Sequence, residues 1–368
     1  MFLLIAIALS GCTAPPAVPP GTATASTRPA ASSGSTASPA ATPTLAITPA
    51  LTVADWLEPY TLAGLRERDF GEAKILGREE TTKTSLYTRY DITYLSEGLR
   101  ITGTMQIPTA GKPPYPVIIM NHGYFNRKEY FSGDGTDRAA EYLNRHGYVT
   151  LASDYRSWGG SESGPSLFYS GLVIDVFNLM RAASDIPEAD TARMGIWGHS
   201  MGGGVTMKVL ALGAPVKAAV LYSTVSADDA DILARWGLGC IGDIEAGENQ
   251  LGCNSSDVIP LDLPPDLIKA YYEASLDPAM TALTSPIHNL RFIQVPVQIH
   301  YGTKDGITMG GTPPEWSAKL FDALEAAAKP AEIYGYDDER HSFVGDNWVA
   351  FMERSAFLYD KYVKPAAQ

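Results

Sequence analysis

The chain has 368 residues, of which 28 are Lys or Arg and 41 are Asp or Glu, giving a net charge of −13. An acidic balance of this size argues against a nucleic-acid partner, which needs a basic footprint, and says little about fold. After residue 12 no stretch has the about 20 consecutive apolar residues of a membrane-spanning helix, and no segment repeats.

The first residues, MFLLIAIALSGC, form an apolar run too short to cross a bilayer but with the core of an export signal. The ending LSGC resembles the lipobox of bacterial lipoproteins. The resemblance implies cleavage before Cys12 and lipidation of that residue, although no Lys or Arg precedes the apolar run. Residues 13–50 are almost wholly Ala, Pro, Thr, Ser and Gly, with Arg28 as the one charge. This composition buries too little apolar surface to offset its ordering entropy, and Pro-rich spacers stay extended. The expectation is a tethered, exported protein, lipid-anchored to a bacterial cell membrane on its periplasmic or extracellular face. Residues 51–368 are left for one folded domain.

That domain opens with helical character at 55–68, then strand alternation at 87–94 and 99–107 around the turn Glu97-Gly98. The pattern then changes to short continuous apolar runs of the buried, parallel kind. They fall at 117–120, 148–152, 194–197, 218–222, 297–301 and 332–336. Helical stretches at 137–145, 167–183, 200–212, 315–328 and 346–362 alternate with them. The fold class is therefore α/β, a mostly parallel sheet covered on both faces, preceded by antiparallel strands. The interval from about 224 to 295 breaks the alternation. It shows no clear strand, a helical stretch at 266–274, and the pair Cys240 and Cys253, and it reads as an inserted cap. In an oxidising compartment the two cysteines are expected to form a disulfide, worth on the order of 3 kcal/mol or less for so short a loop. Their spacing does not fit a zinc site, and no metal or organic cofactor is implied.

Residues 195–204 read GIWGHSMGGG. Ser200 follows an apolar run and opens a helical stretch, the strand–turn–helix context of a nucleophile elbow. Gly198 and Gly202 suit the close packing of such a turn. A serine hydroxyl needs a base. Of six histidines, His341 follows the last apolar run in the loop DDERHSF, at the end of a parallel strand where such sheets place active sites. His199 is part of the elbow, His300 lies within a strand, His146 is near a helix end, His288 is in the cap, and His122 ends the first apolar run. The acid that orients the base is assigned to Asp305, in YGTKDG after another strand, over Asp337 and Asp338, which share the His341 loop. The oxyanion donors are assigned to the backbone N–H groups of Met201 and Tyr124, with Gly123 as the runner-up for the second.

The segments SEGLRITGTMQIP, PVIIMNHGY, RMGIWGHSMGG, YGTKD and DDERHSF, in this order, resemble the catalytic domain of the prolyl oligopeptidase and acylaminoacyl-peptidase group of α/β-hydrolases. Dienelactone hydrolases and acetyl xylan or feruloyl esterases are similar in the same segments. The resemblance implies the α/β-hydrolase fold and carries its triad onto Ser200, Asp305 and His341. Only about 70 residues separate the Pro-rich segment from His122, too few for the β-propeller of the oligopeptidases. A carboxylic ester, small or polymeric, is therefore the expected substrate. The alternatives are an aminopeptidase or amidase, with Asp228, Asp229 or Asp231 holding a substrate amine, and a polyester or cutinase-like hydrolase. A different class is a non-catalytic surface binding protein on the same fold. Trp236, Tyr271 and Tyr272 of the cap, and Trp158, are candidate pocket walls.

Overall fold

The computed structural model describes residues 57–237, 239–241, 254–259 and 264–365, all within the unit Leu51–Gln368. Cys12, the segments 1–12 and 13–50, and Cys253 lie outside the described residues, and Cys240 is described only as part of a strand backbone.

The domain starts with a short helix, α1 (Leu62–Glu67), whose cap Thr61 accepts from the Gly64 N–H. Three strands follow, β1 (Ile75–Lys83), β2 (Tyr87–Ser96) and β3 (Leu99–Pro108), paired antiparallel in sequence order. β1 was not expected. Its sequence ILGREETTK offers no apolar alternation, and all but its first residue are exposed, so an edge strand of this kind leaves no hydrophobic signature.

Strand and helix then alternate: β4 (Tyr115–Asn121), α2 (Asp137–Arg145), β5 (Val149–Ser153), α3 (Ser170–Ala182), β6 (Ala189–His199), α4 (Met201–Ala211) and β7 (Ala219–Tyr222). β4, β5 and β7 are buried along their whole length, which is what their unbroken apolar runs require. The helix expected over 167–183 is divided. Residues Leu167–Tyr169 form a separate turn in which Phe168 and Tyr169 take positive φ (50° and 61°), and α3 begins only at Ser170. Phe168 is turned against Tyr271, ring centroids 4.9 Å apart, so an aromatic contact with the cap replaces the first turn of the helix.

After the cap come β10 (Val297–Gly302), α8 (Pro314–Ala326), β11 (Ala331–Tyr336) and α9 (Gly345–Tyr362). The nine-stranded sheet has the order β1-β2-β3-β5-β4-β6-β7-β10-β11. From β5 onward every pairing is parallel, so six strands deliver their carboxyl ends to one edge.

The interval 224–295 holds more structure than the sequence indicates. It contains α5 (Asp229–Trp236), a two-stranded parallel pair β8 (Gly239–Ile241) and β9 (Asn254–Ile259), α6 (Pro265–Ser275) and α7 (Pro278–Thr284). The expectation of no strand here is corrected. β8 is three residues long and β9 reads NSSDVI, too short and too polar for a periodic signal. α5 is joined to α4 through a buried cation. The Lys208 ammonium on α4 donates to the Asp229 carboxylate at 2.8 Å and to the Thr284 carbonyl at 2.8 Å, with both charged side chains almost wholly buried.

Removing one member of such a pair strands the other charge in the interior. We expect Lys208→Met to lower unfolding stability by about 3–5 kcal/mol, and the double change Lys208→Met/Asp229→Leu to recover most of that loss. Urea unfolding of the two variants measures it; a double variant no more stable than the single one would contradict the pairing as the cause.

Candidate active site

Ser200 sits at the junction of β6 and α4 with φ 55° and ψ −121°. Such a backbone is costly for a residue with a side chain, and the surroundings hold it there. The Ser200 N–H donates to the Tyr222 carbonyl of β7 at 2.9 Å, and the Ser200 carbonyl accepts from Gly203 (2.9 Å) and Val225 (3.1 Å). The turn also requires two hydrogen-only positions. A Cβ on Gly198 would collide with the Gly202 carbonyl oxygen, and one on Gly202 with the Asn121 carbonyl oxygen. The fingerprint of small residues in the sequence thus records the contact of α4 with the end of β4.

The chain end of β10 brings in Asp305 and the loop after β11 brings in His341. The imidazole Nδ1 lies 2.9 Å from Asp305 Oδ2 and 3.1 Å from Oδ1. Asp305 is buried and also accepts from the backbone N–H groups of Gly306 (2.7 Å) and Thr312 (3.0 Å). Burial alone raises its pKa. The hydrogen bond and charge of His341, with those from Thr312 and Gly306, outweigh burial and hold the carboxyl below its usual value. Asp338, one of the rival acids, is instead fully exposed and paired with Lys304.

Ser200 Oγ is not hydrogen-bonded to either ring nitrogen of His341 among the described residues, and Nε2 is the nitrogen that the Asp305 contact leaves available. The two loops nonetheless meet. The His199 ring, next to Ser200, stands 4.9 Å from the His341 ring, and its Nε2 lies 3.1 Å from the His341 carbonyl oxygen. The Gly123 backbone also comes near, so that an added Cβ would lie 3.0 Å from Ser200 Cβ and 3.4 Å from His199 Nδ1. The N–H groups of Tyr124 and Met201 have no hydrogen-bond partner among the described residues. Met201 begins α4, so its N–H belongs to the positive end of that helix.

The remaining histidines are structural in their contacts. His122 is buried between the Tyr130 and Tyr155 rings (centroids 4.6 and 4.3 Å), and its ring nitrogens face the Gly123 and Asp154 carbonyls. His300 lies within β10 against Gln298 and Tyr336. Trp158 is core, its indole N–H donating to the Phe125 carbonyl at 3.0 Å, and Tyr271 is equally buried. Trp236 packs edge-on against Trp316 and donates to the Met309 carbonyl.

Three supporting residues escape sequence reasoning. Thr312 Oγ1 lies 2.7 Å from Asp305 Oδ2 and 2.9 Å from the Ser223 carbonyl, and donates to either. The one hint is the preceding Gly310-Gly311: a Cβ at Gly311 would lie 2.5 Å from Asp305 Oδ1. Arg235 of the cap donates to the carbonyls of Gly306 (3.0 Å) and Thr308 (2.7 Å), tying α5 to the loop that follows Asp305. Tyr222 at the end of β7 accepts from the Phe343 N–H at 2.5 Å and so restrains the His341 loop.

Known proteins share the fold of this chain. Residues 112–245 match the family described as Hydrolase_4, serine aminopeptidase, S33. An uncharacterized 31.7 kDa protein of Escherichia coli, from the traX-finO intergenic region, is 24% identical over 293 residues, 73% of this chain and 96% of its own. The structure of an acetyl xylan esterase from Paenibacillus sp. R4 superposes with a TM-score of 0.56 at 17% identity, covering 85% of this chain and 96% of that one. A puromycin-hydrolyzing peptidase of Mycobacterium tuberculosis superposes with a TM-score of 0.52 at 18% identity over 78% of this chain; the match spans 45% of the peptidase. Identities at this level establish the fold. The chain has the α/β-hydrolase fold.

His199 provides a pH test of the packing at the elbow. Burial first, and then the neighbouring His341, pull its pKa down to about 3 from 6.5. The unfolded chain therefore binds a proton between those values that the folded chain does not. Stability from this group is complete above about pH 6.5 and is lost as pH falls toward 3. We expect the drop in urea midpoint between pH 7.5 and pH 5 to be smaller in His199→Gln than in the wild type. An equally steep drop would assign the acid sensitivity to other groups.

Proposed function

We propose that the protein is a serine hydrolase that cleaves carboxylic esters through an acyl-enzyme on Ser200. The observation that carries this reading is the His341–Asp305 pair at 2.9 Å, on loops adjoining a serine held at φ 55°, with two unpartnered N–H groups beside it. Ser200 Oγ attacks the ester carbonyl carbon while His341 Nε2 takes its proton. The N–H groups of Tyr124 and Met201 receive the oxyanion, each worth about 2.7–4 kcal/mol in the transition state. The imidazolium, stabilised by Asp305, returns the proton to the departing alcohol, and a water activated by His341 then releases the acid.

An ester is favoured over an aminoacyl amide because the acids available to hold a substrate amine are engaged. Asp228 and Asp231 pair with Lys319 at 2.8 and 2.9 Å, and Asp229 pairs with Lys208. The amidase reading keeps support from the S33 family match and from the peptidase fold neighbour. The esterase reading is supported by the acetyl xylan esterase, which this chain covers almost completely.

A fluorophosphonate probe should label the wild type and leave Ser200→Ala unlabelled. Asp305→Asn should keep the fold and reduce kcat by about 10⁴. On a panel of p-nitrophenyl esters and aminoacyl-p-nitroanilides, the esters should turn over faster; the reverse order would transfer the protein to the amidases. Equal labelling of wild type and Ser200→Ala would remove Ser200 from the mechanism.

We also propose export and lipid anchoring through Cys12, on the LSGC sequence and the uncharged segment that follows it. Mass spectrometry of the mature protein should find a diacylglyceryl-modified Cys12 at its amino terminus. A mature chain that begins elsewhere overturns the anchor.

A further inference from the structure

A cavity of about 280 Å³ lies beside the candidate site and takes no part in the chemistry described above. Its walls are one residue removed from three site residues: Phe125 follows Tyr124, His199 precedes Ser200, and Ser342 follows His341. The cavity therefore adjoins the loops that carry Ser200 and His341.

Its lining combines two chemistries. Phe125, Tyr222, Phe343 and Trp348 supply aromatic surface, and the Arg138 guanidinium stacks 4.0 Å from the centre of the Trp348 ring. Asp134, in the turn before α2, supplies a carboxylate, whereas that of Asp137 is engaged by Gln106 and Arg89. His199 adds an acceptor. Its Nε2 is used on the His341 carbonyl, and its Nδ1 has no hydrogen-bond partner among the described residues. A ring nitrogen whose opposite N–H is donated to a carbonyl carries the lone pair. The volume is that of a small fragment rather than a whole drug-sized ligand. The lining suits a flat or ring-shaped group that packs on aromatic faces and donates hydrogen bonds.

We propose that this cavity is the leaving-group subsite, and that it holds a ring-sized alcohol carrying at least one further hydroxyl, phenolic or alicyclic. This rests on the ester-hydrolase reading of Ser200 and deepens it. The ring packs against Phe343 and Trp348, and its spare hydroxyl donates to His199 Nδ1 or to the Asp134 carboxylate. The ester oxygen is left facing His341. The subsite acts on acylation alone, because the alcohol has departed before water attacks the acyl-enzyme. Ser342 is exposed at the cavity wall, so a larger side chain there narrows the space, at the loss of its hydrogen bond to Tyr222.

The experiment compares esters of one acid, acetate, with ethanol, phenol and hydroquinone as leaving alcohols, on the wild type and on Ser342→Leu. The wild type should prefer hydroquinone monoacetate to phenyl acetate by about tenfold in kcat/KM, more than the similar leaving-group acidities of the two phenols explain. In Ser342→Leu the ratio of either ring ester to ethyl acetate should fall at least tenfold, with the deacylation rate of the shared acetyl-enzyme unchanged. Free hydroquinone should inhibit the wild type competitively and Ser342→Leu at least tenfold more weakly. A Ser342→Leu that lowers all three esters in proportion, or that slows deacylation, overturns the subsite and leaves the ester-hydrolase reading standing. Absence of turnover on every ester, with no fluorophosphonate labelling, overturns that reading itself. Ser342→Ala, which enlarges the cavity, keeps the test open if the leucine variant does not fold: ring preference retained with weaker hydroquinone inhibition supports the subsite, and kinetics identical to wild type in every measurement count against it.

Discussion

The arrangement of the molecule turns on the backbone of Ser200. Its φ of 55° is unfavourable in isolation and exists because β6 must stop and α4 must start within one residue, pressed against the ends of β4 and β7. The Ser200 N–H is held by the Tyr222 carbonyl, and Gly202 lies against the Asn121 carbonyl. The sheet order makes this unavoidable. β6 is flanked by β4 and β7, so whatever follows it emerges between the loops after those two strands. The glycines are the positions where that crowding leaves no room for a side chain.

Asp305 and His341 depend on the same edge, but their alignment comes from elsewhere. Asp305 and His341 arrive on adjacent parallel strands, and that puts them in the same neighbourhood. Their 2.9 Å contact needs the Thr312 hydroxyl and two backbone N–H groups to fix the carboxylate, and His199 and Tyr222 to restrain the imidazole loop. The cap contributes to this through Arg235 and Trp236, which grip the carbonyls of the loop between Asp305 and Thr312. The cap is in turn held to α4 by the buried Lys208–Asp229 pair. The cap is thus a clamp on the loop that follows Asp305. That account explains why Asp228, Asp229 and Asp231 are committed to structure and are poorly placed to receive a substrate amine.

Legibility in the sequence followed burial on both faces. The central strands are sealed by helices above and below, so VIIM at 117–120 and its counterparts could be nothing else. β1, exposed along nearly its whole length, and β8 and β9, short and polar, left no pattern to read. The helix over 167–183 misled because its apolar periodicity is real, yet the contact of Phe168 with Tyr271, distant in sequence, outweighs the local preference of the first turn.

What the sequence determined by itself was the ordering of apolar runs and the residue types that follow them: a serine among glycines, an aspartate and a histidine, each just past a buried strand. Local chemistry is enough for that, because strand ends and tight turns select residues by steric and hydrogen-bonding rules that act over a few positions. Only the tertiary structure decided which carboxylate meets the imidazole, which hydroxyl supports it, what Trp158 and Tyr271 pack against, and that a cavity lies beside the His341 loop. Apart from the Thr312–Asp305 pair, seven positions apart, these contacts join residues 33 to more than 100 positions apart. They depend on how strands are ordered across the sheet, and no short-range preference encodes that order.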